Sequence, residues 1–460
     1  MKNNILKLIF FFMIANSITA NVTLPNIFGD NMVLQRNSEV KIWGWANPKE
    51  EIKLVSSWNN QEYKVVTNNQ AKWEIIIKTP EAGGPYTISI KGYNEIVLKN
   101  ILIGEVWICS GQSNMEMSAS WGIDNGDEEV KNATNPNIRF FTVSKSTAIT
   151  PQNNVLGNWV ESTPETMKYF SAVGYFFAKR LREDLKNVPI GLISSNWGGT
   201  PAEIWMPEEV IQNDPVLLEN AKKLYEQEYG PHQPGRAYNA MIAPIVGFKI
   251  AGTIWYQGES NVGSLVYDKT LSALITSWRK NWNDEFPFYF VQIAPYKTGT
   301  NNFSNVTVRN SQRKILKEVP KTGMVLTSDI SDTIDIHPKN KKSVGIRLAN
   351  LALAEVYKTN SNLVNGPLFK EIKIDKNKVT VSFDYADGLY FKNKISNQFE
   401  IAGADGNFVS AEASIKNNQV ILTSKKVTNP AKVRFAWGNT TQSDLFNKAN
   451  LPASCFTTEL

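Results

Sequence analysis

From Ile101 onward the chain alternates short apolar runs with stretches whose apolar residues recur at helical spacing, and no other feature restricts the fold as much. The runs are VWICS (106–110), IGLIS (190–194), GTIWYQ (252–257), FYFVQIA (288–294) and GMVLTSD (323–329). The helical stretches are 172–186, 269–282 and 343–358. Strands separated by helices need crossover connections, and crossovers build a parallel sheet with helices on both faces. The expected class is α/β, a three-layer α/β/α sandwich. Sites in such sheets lie at the carboxyl ends of the strands. Three of the runs end in polar, glycine-bearing loops: CSGQSN (109–114), SSNWGGT (194–200) and YQGESN (256–261).

A chain of 460 residues exceeds one ordinary core. Residues 21–100 hold short alternating strands such as KWEIIIK (72–78) and YTISIKG (86–92), punctuated by Asn47-Pro48 and Gly83-Gly84-Pro85, which suggests an N-terminal β-sandwich. Strand patterns return in KVTVSFDY (378–385), NQVILTS (418–424) and AKVRFAWGN (431–439). The expected division is an N-terminal β-domain over 21–100, an α/β domain over 101–364 and a C-terminal β-rich module over 365–460. Residues 1–20 pair lysines at 2 and 7 with an apolar stretch and a small-residue end at Ala20, the pattern of a secretory signal peptide. Export to the periplasm or the medium is expected, with no stable membrane insertion.

Net charge is +6 but dispersed, and the run Lys339 to Lys342 is short, so it reads as a solvated face and no nucleic-acid groove is indicated. Cys109 and Cys455 are the two cysteines, expected as buried or unpaired thiols rather than a bridge. With two histidines beside them, no metal site is expected. Oligomeric state is not readable from the sequence.

The scarcity of histidine narrows the chemistry. A serine activated by an imidazole must use His232 or His337. His337 follows the run ending at Asp329 and has Asp335 two residues before it, where a carboxylate can hold Nδ1–H. His232 lies between two prolines, with a loop surface or a substrate contact as its alternatives. Gly198 and Gly199 allow backbone N–H groups to approach a developing oxyanion, and Gln257 offers side-chain donors. Each of these loops can equally be a plain surface turn; what raises them is that each follows a strand. A paired-carboxylate glycosidase would use acids such as Glu203 and Glu259, but leaves Ser113 and His337 without a role. A non-catalytic sugar-binding scaffold built on the β-modules does so too.

Taken in order, GQSN (111–114), NWGGT (196–200), WYQGESN (255–261) and DIHP (335–338) resemble the four blocks of SGNH-type carbohydrate esterases, and more specifically the sialate O-acetylesterase family. The resemblance extends to LPNIFGDNMVLQR (24–36), YNAMIAPIVGFKIAGTIWYQGESN (238–261) and NKANLPASCF (447–456), nearly the whole chain after residue 20. It implies an SGNH-hydrolase-like fold and hydrolysis of O-acetyl esters on a sugar or glycan, without metal or organic cofactor. It implies Ser113 as nucleophile, His337 as base and Asp335 as acid. Glu259 is the alternative acid and Asp332 a third. The Ser113 N–H, Gly199 (or Gly198) and Gln257 are the implied oxyanion hole. The sugar is left open between sialic acids and acetylated xylan or another polysaccharide. Among the aromatics near these loops, Trp197, Trp205 or Trp255 is a candidate to stack on a sugar ring, with packing the commoner role for each.

Overall fold

The computed structural model describes residues 21–226, 228–298 and 303–459; the expected signal peptide lies outside them. At its centre is a sheet in the spatial order 322–325, 288–291, 252–256, 95–111, 190–196, 135–142, 159–162. All of these pairings are parallel except the last, where Trp159–Ser162 runs against Asn135–Thr142. Glu95–Gly111 is the hinge of this order. The chain leaves it to one side for 135–142 and 190–196, then returns to its other side at Gly252–Tyr256. A crevice opens at such a switch point, outside the carboxyl end of the strand.

The pleat sorts this strand's side chains into two cores. Trp107 and Cys109 join the helices Ala172–Leu185 and Lys341–Glu355 on one face. Val106 and Ile108 join Tyr267–Trp282 and Ser304–Glu318 on the other. This is the three-layer α/β/α arrangement expected from the alternation. The strand is longer than its apolar run: residues 95–103 also pair, antiparallel, with Gly83–Lys91 of the N-terminal strands. One continuous strand of 17 residues thus runs from the β-rich opening of the chain into the central sheet.

The C-terminal strands form antiparallel sheets around a third core with Val381, Phe399, Phe435 and Phe456. Val306 of the helix Ser304–Glu318 reaches into that core, and Gln292 donates to Ser454 Oγ at 2.8 Å, so the module is anchored on the sheet's 288–291 side. Cys109 and Cys455 are both buried and unbridged. Among the described residues no helix is long and apolar enough to cross a membrane, and no cluster of three or more His, Cys, Asp or Glu side chains could hold a metal ion.

Candidate active site

The carboxyl end of Glu95–Gly111 turns abruptly into a one-turn helix, Ser113–Glu116. The turn requires glycine: Gly111 has φ of 134°, and a Cβ there would meet the Tyr256 carbonyl oxygen at 2.2 Å. Gln112 is extended, its carbonyl accepts the N–H groups of Met115 and Glu116, and its Oε1 takes the N–H of Ser260 at 3.2 Å. Ser113 is therefore presented at the first helical position, above the sheet. Ser110, by contrast, is fully buried and donates to the Ser195 carbonyl, which is a strand-end role.

His337, 224 positions away, places Nε2 at 2.8 Å from Ser113 Oγ. Its loop is held by side-chain acceptors. Asp332 Oδ1 takes the N–H groups of Ile334 and Asp335, and Asp335 Oδ1 takes the His337 N–H at 2.8 Å. The same Asp335 oxygen lies 3.9 Å from His337 Nδ1. Glu259 bonds elsewhere, accepting from Asn114 Nδ2. Burial, then the Lys341 charge, lower the His337 pKa from its ordinary value, against an opposing pull from Asp335. Trp121, 47% exposed, stands edge-on to the imidazole with ring centroids 6.1 Å apart.

The glycine loop closes the other side. A side chain at Gly198 would lie 3.3 Å from Ser113 Cβ, so the loop's backbone rests against the serine. The Gly198 N–H is not free for an oxyanion: it donates to Glu116 Oε2 at 2.7 Å, and Glu116 is held in turn by Lys145 at 2.6 Å. That removes Gly198 from the expected donors. Gly199, in the left-handed region with φ of 73°, and Ser113 have backbone N–H groups with no acceptor among the described residues.

The expected role of Gln257 also needs correction. Its side chain is fully buried, and Nε2 donates to the Thr200 carbonyl at 3.2 Å and to Asn261 Oδ1 at 2.7 Å. Its Oε1 accepts from Tyr267. With both amide hydrogens engaged it is a strut between two loops, not a donor facing Ser113.

Other expectations are redirected as well. Trp205 and Trp255 are core residues packed edge to face, so neither can stack on a sugar; Trp197 is half-buried, with Nε1 bonded to the Tyr229 carbonyl. Glu203 is buried against Asn220 and Asn261, with burial raising its carboxyl pKa, and cannot flank a cleft as a glycosidase acid. His232 lines a separate recess of about 230 Å³ with Pro201, Tyr225 and Ser260. Lys341, read as part of a solvated run, is buried beside the site while Lys339 and Lys342 are exposed. A cleft of about 580 Å³ lies at the opposite end of the strands by Pro287 and Thr322 and does not touch Ser113. Glu116, Trp121 and Lys341 are the site residues that sequence reasoning missed.

A serine against an imidazole, with unpaired N–H groups beside it at a sheet switch point, is equipped for acyl transfer. Comparison with known proteins agrees. Residues 103–354 match the family described as carbohydrate esterase, sialic acid-specific acetylesterase. The sialate O-acetylesterases of Homo sapiens and Pongo abelii are each 29% identical, over 81% of this chain and 78% of theirs. That of Rattus norvegicus is 27% identical over 88% of both. A crystal structure of a carbohydrate acetylesterase from Xanthomonas citri shares 34% identity, with a TM-score of 0.86 over 95% of this chain and 99% of that one.

Proposed function

The chain belongs to the sialic acid-specific acetylesterase family of carbohydrate esterases, and on that premise we propose that it removes O-acetyl groups from sialic acids through a Ser113–His337–Asp335 acyl-enzyme mechanism. It is a carboxylic ester hydrolase acting on carbohydrate. The observation that carries the mechanism is the 2.8 Å contact between Ser113 Oγ and His337 Nε2.

Ser113 Oγ attacks the acetyl carbonyl carbon as His337 Nε2 takes its proton. Negative charge builds on the carbonyl oxygen, where the N–H groups of Ser113 and Gly199 are the available donors. The imidazolium is stabilised by Asp335 beside Nδ1. The C–O bond to the sugar breaks, and the sugar oxygen leaves with the proton from His337. Water, deprotonated by His337, then attacks the acetyl-serine carbonyl; the bond from that carbon to Ser113 Oγ breaks, Oγ recovers the proton from His337, and acetate departs. The lowered His337 pKa favours this cycle, since the base must begin neutral.

The test is acetate release from 9-O-acetyl sialic acid and from acetylated xylan, side by side, with Ser113→Ala as control. Faster release from the sialic acid, abolished in Ser113→Ala, is the expected result. Preference for xylan would move the substrate to polysaccharides, and wild-type turnover by Ser113→Ala would end the serine mechanism. Export belongs to the same proposal: residues 1–20 are the leader, and N-terminal sequencing of secreted protein should begin at Asn21.

A further inference from the structure

Behind Ser113 and His337 runs a buried polar chain that the acyl-transfer steps do not use. Asn114, the residue after Ser113, is fully buried. Its Nδ2 donates to Glu259 Oε1 at 2.5 Å and to the Ile336 carbonyl at 2.9 Å, and its Oδ1 accepts from Lys341 Nζ at 2.5 Å. Ile336 immediately precedes His337, so one amide ties the turn of the nucleophile to the loop of the base. Lys341, 1% exposed, opens the helix Lys341–Glu355, and its ammonium also faces the Tyr256 ring, 5.3 Å from the centroid. Glu259 Oε2 is buried without a hydrogen-bond partner.

Such a chain is costly. An ammonium and a carboxylate are both withdrawn from water, and no ion pair joins them directly. Apolar side chains of the same volume would stabilise the fold at least as well. What they would not supply is a directional link between two loops that must agree to within a fraction of an ångström.

We propose that Asn114 and Lys341 are positioning residues for the hydrolysis: Asn114 sets the separation of Ser113 and His337 by bridging their loops, and Lys341 fixes the orientation of the Asn114 amide. This rests on the serine mechanism above. Lys341 acts through charge as well. The charged groups around His337 are Asp335 on its own loop and Lys341 on the helix that follows, and Glu259 faces Lys341 from the loop after Gly252–Tyr256. Burial drives Lys341 down and Glu259 up, each to about 7. A positive charge behind the imidazole disfavours the imidazolium, so Lys341 extends to lower pH the range in which His337 is a base.

The experiment is the pH profile of p-nitrophenyl acetate hydrolysis by Lys341→Gln, Lys341→Arg and Asn114→Ala in the full chain. Lys341→Gln should move the acidic limb of kcat/KM to higher pH, and Lys341→Arg should restore it. The His337 imidazole resonance, one of two in the spectrum, should titrate at higher pH in Lys341→Gln. Asn114→Ala should lose about 100-fold in kcat with KM nearly unchanged, since the amide touches loops rather than substrate. Its kcat is a second reading should Lys341→Gln fail to fold. An acidic limb that stays in place in folded Lys341→Gln, or a wild-type kcat in Asn114→Ala, overturns the proposal. Activity retained in Ser113→Ala would overturn the underlying mechanism instead, whatever these variants do.

Discussion

Replacing Asp335 by asparagine separates its charge from its shape. Asp335 Oδ1 accepts the His337 N–H at 2.8 Å, and an asparagine oxygen can keep that bond, so the loop should hold its conformation. What is lost is the carboxylate charge 3.9 Å from Nδ1. Between full charges at that separation the attraction is about 1 kcal/mol in water and about 4 kcal/mol at an effective dielectric constant of about 20. The Asp335 side chain is 44% exposed, which favours the lower end. Taking about 1–2 kcal/mol for the imidazolium of the transition state, kcat should fall about 5- to 30-fold, well short of the loss when a buried triad acid is neutralised. The assay is steady-state hydrolysis of p-nitrophenyl acetate at a pH where His337 is neutral, with Glu259→Gln alongside. Glutamine preserves an acceptor for Asn114, so Glu259→Gln should lose less than Asp335→Asn. Near-wild-type turnover in Asp335→Asn, or a larger loss in Glu259→Gln, would refute the assignment of the acid.

Two further outcomes follow from the turn and the base. Because burial and then Lys341 lower the His337 pKa, and the base must be neutral, the acidic limb of the wild-type kcat/KM profile should lie below the ordinary histidine value of about 6.5; initial rates across that range check it, and a limb above that value contradicts it. Gly111→Ala places a Cβ 2.2 Å from the Tyr256 carbonyl oxygen at φ of 134°, with backbone on both sides of the clash. It should lower unfolding free energy by about 2–4 kcal/mol, measured by urea denaturation, and an unchanged midpoint would show that the turn can be built another way.

The strands of the central sheet could be read because a parallel sheet buries both faces, leaving continuous apolar runs such as VWICS. Their limits could not. Residues 95–100 alternate in burial because their partners are the N-terminal strands, and nothing local says that the same strand continues into another sheet. Ser113 and His337 could be read because histidine is scarce. Glu116 could not, since its acceptor role depends on Gly198, 82 positions away. Lys341 was hidden by its neighbours: a lysine among lysines signals solvent, and only packing against Tyr256 and Asn114 reverses that. Trp121 follows the serine block closely, yet exposure and a ring beside His337 are properties of the folded chain alone.

Gln257 shows how a residue can sit in the right loop and hold a different role. An oxyanion donor must keep an N–H free for the transition state, and removing one costs about 10²–10³ in kcat. Gln257 has no such reserve. Thr200, Asn261 and Tyr267 each take one of its side-chain bonds, and its backbone carbonyl accepts from Gln312. Gln257→Met should therefore act on the fold. It leaves the Thr200 carbonyl without a partner in the interior and takes one bond each from Asn261 Oδ1, which keeps the Ala202 N–H, and from Tyr267, whose hydroxyl still reaches the backbone carbonyl of residue 257, at a combined cost of about 1–3 kcal/mol after relaxation. The urea midpoint should drop accordingly, while the folded enzyme keeps kcat within about tenfold of wild type. A kcat loss of about 10²–10³ at unchanged stability would return Gln257 to the oxyanion hole. It would also mean that its bonds to Thr200 and Asn261 are exchanged for the substrate when an acetyl group is bound.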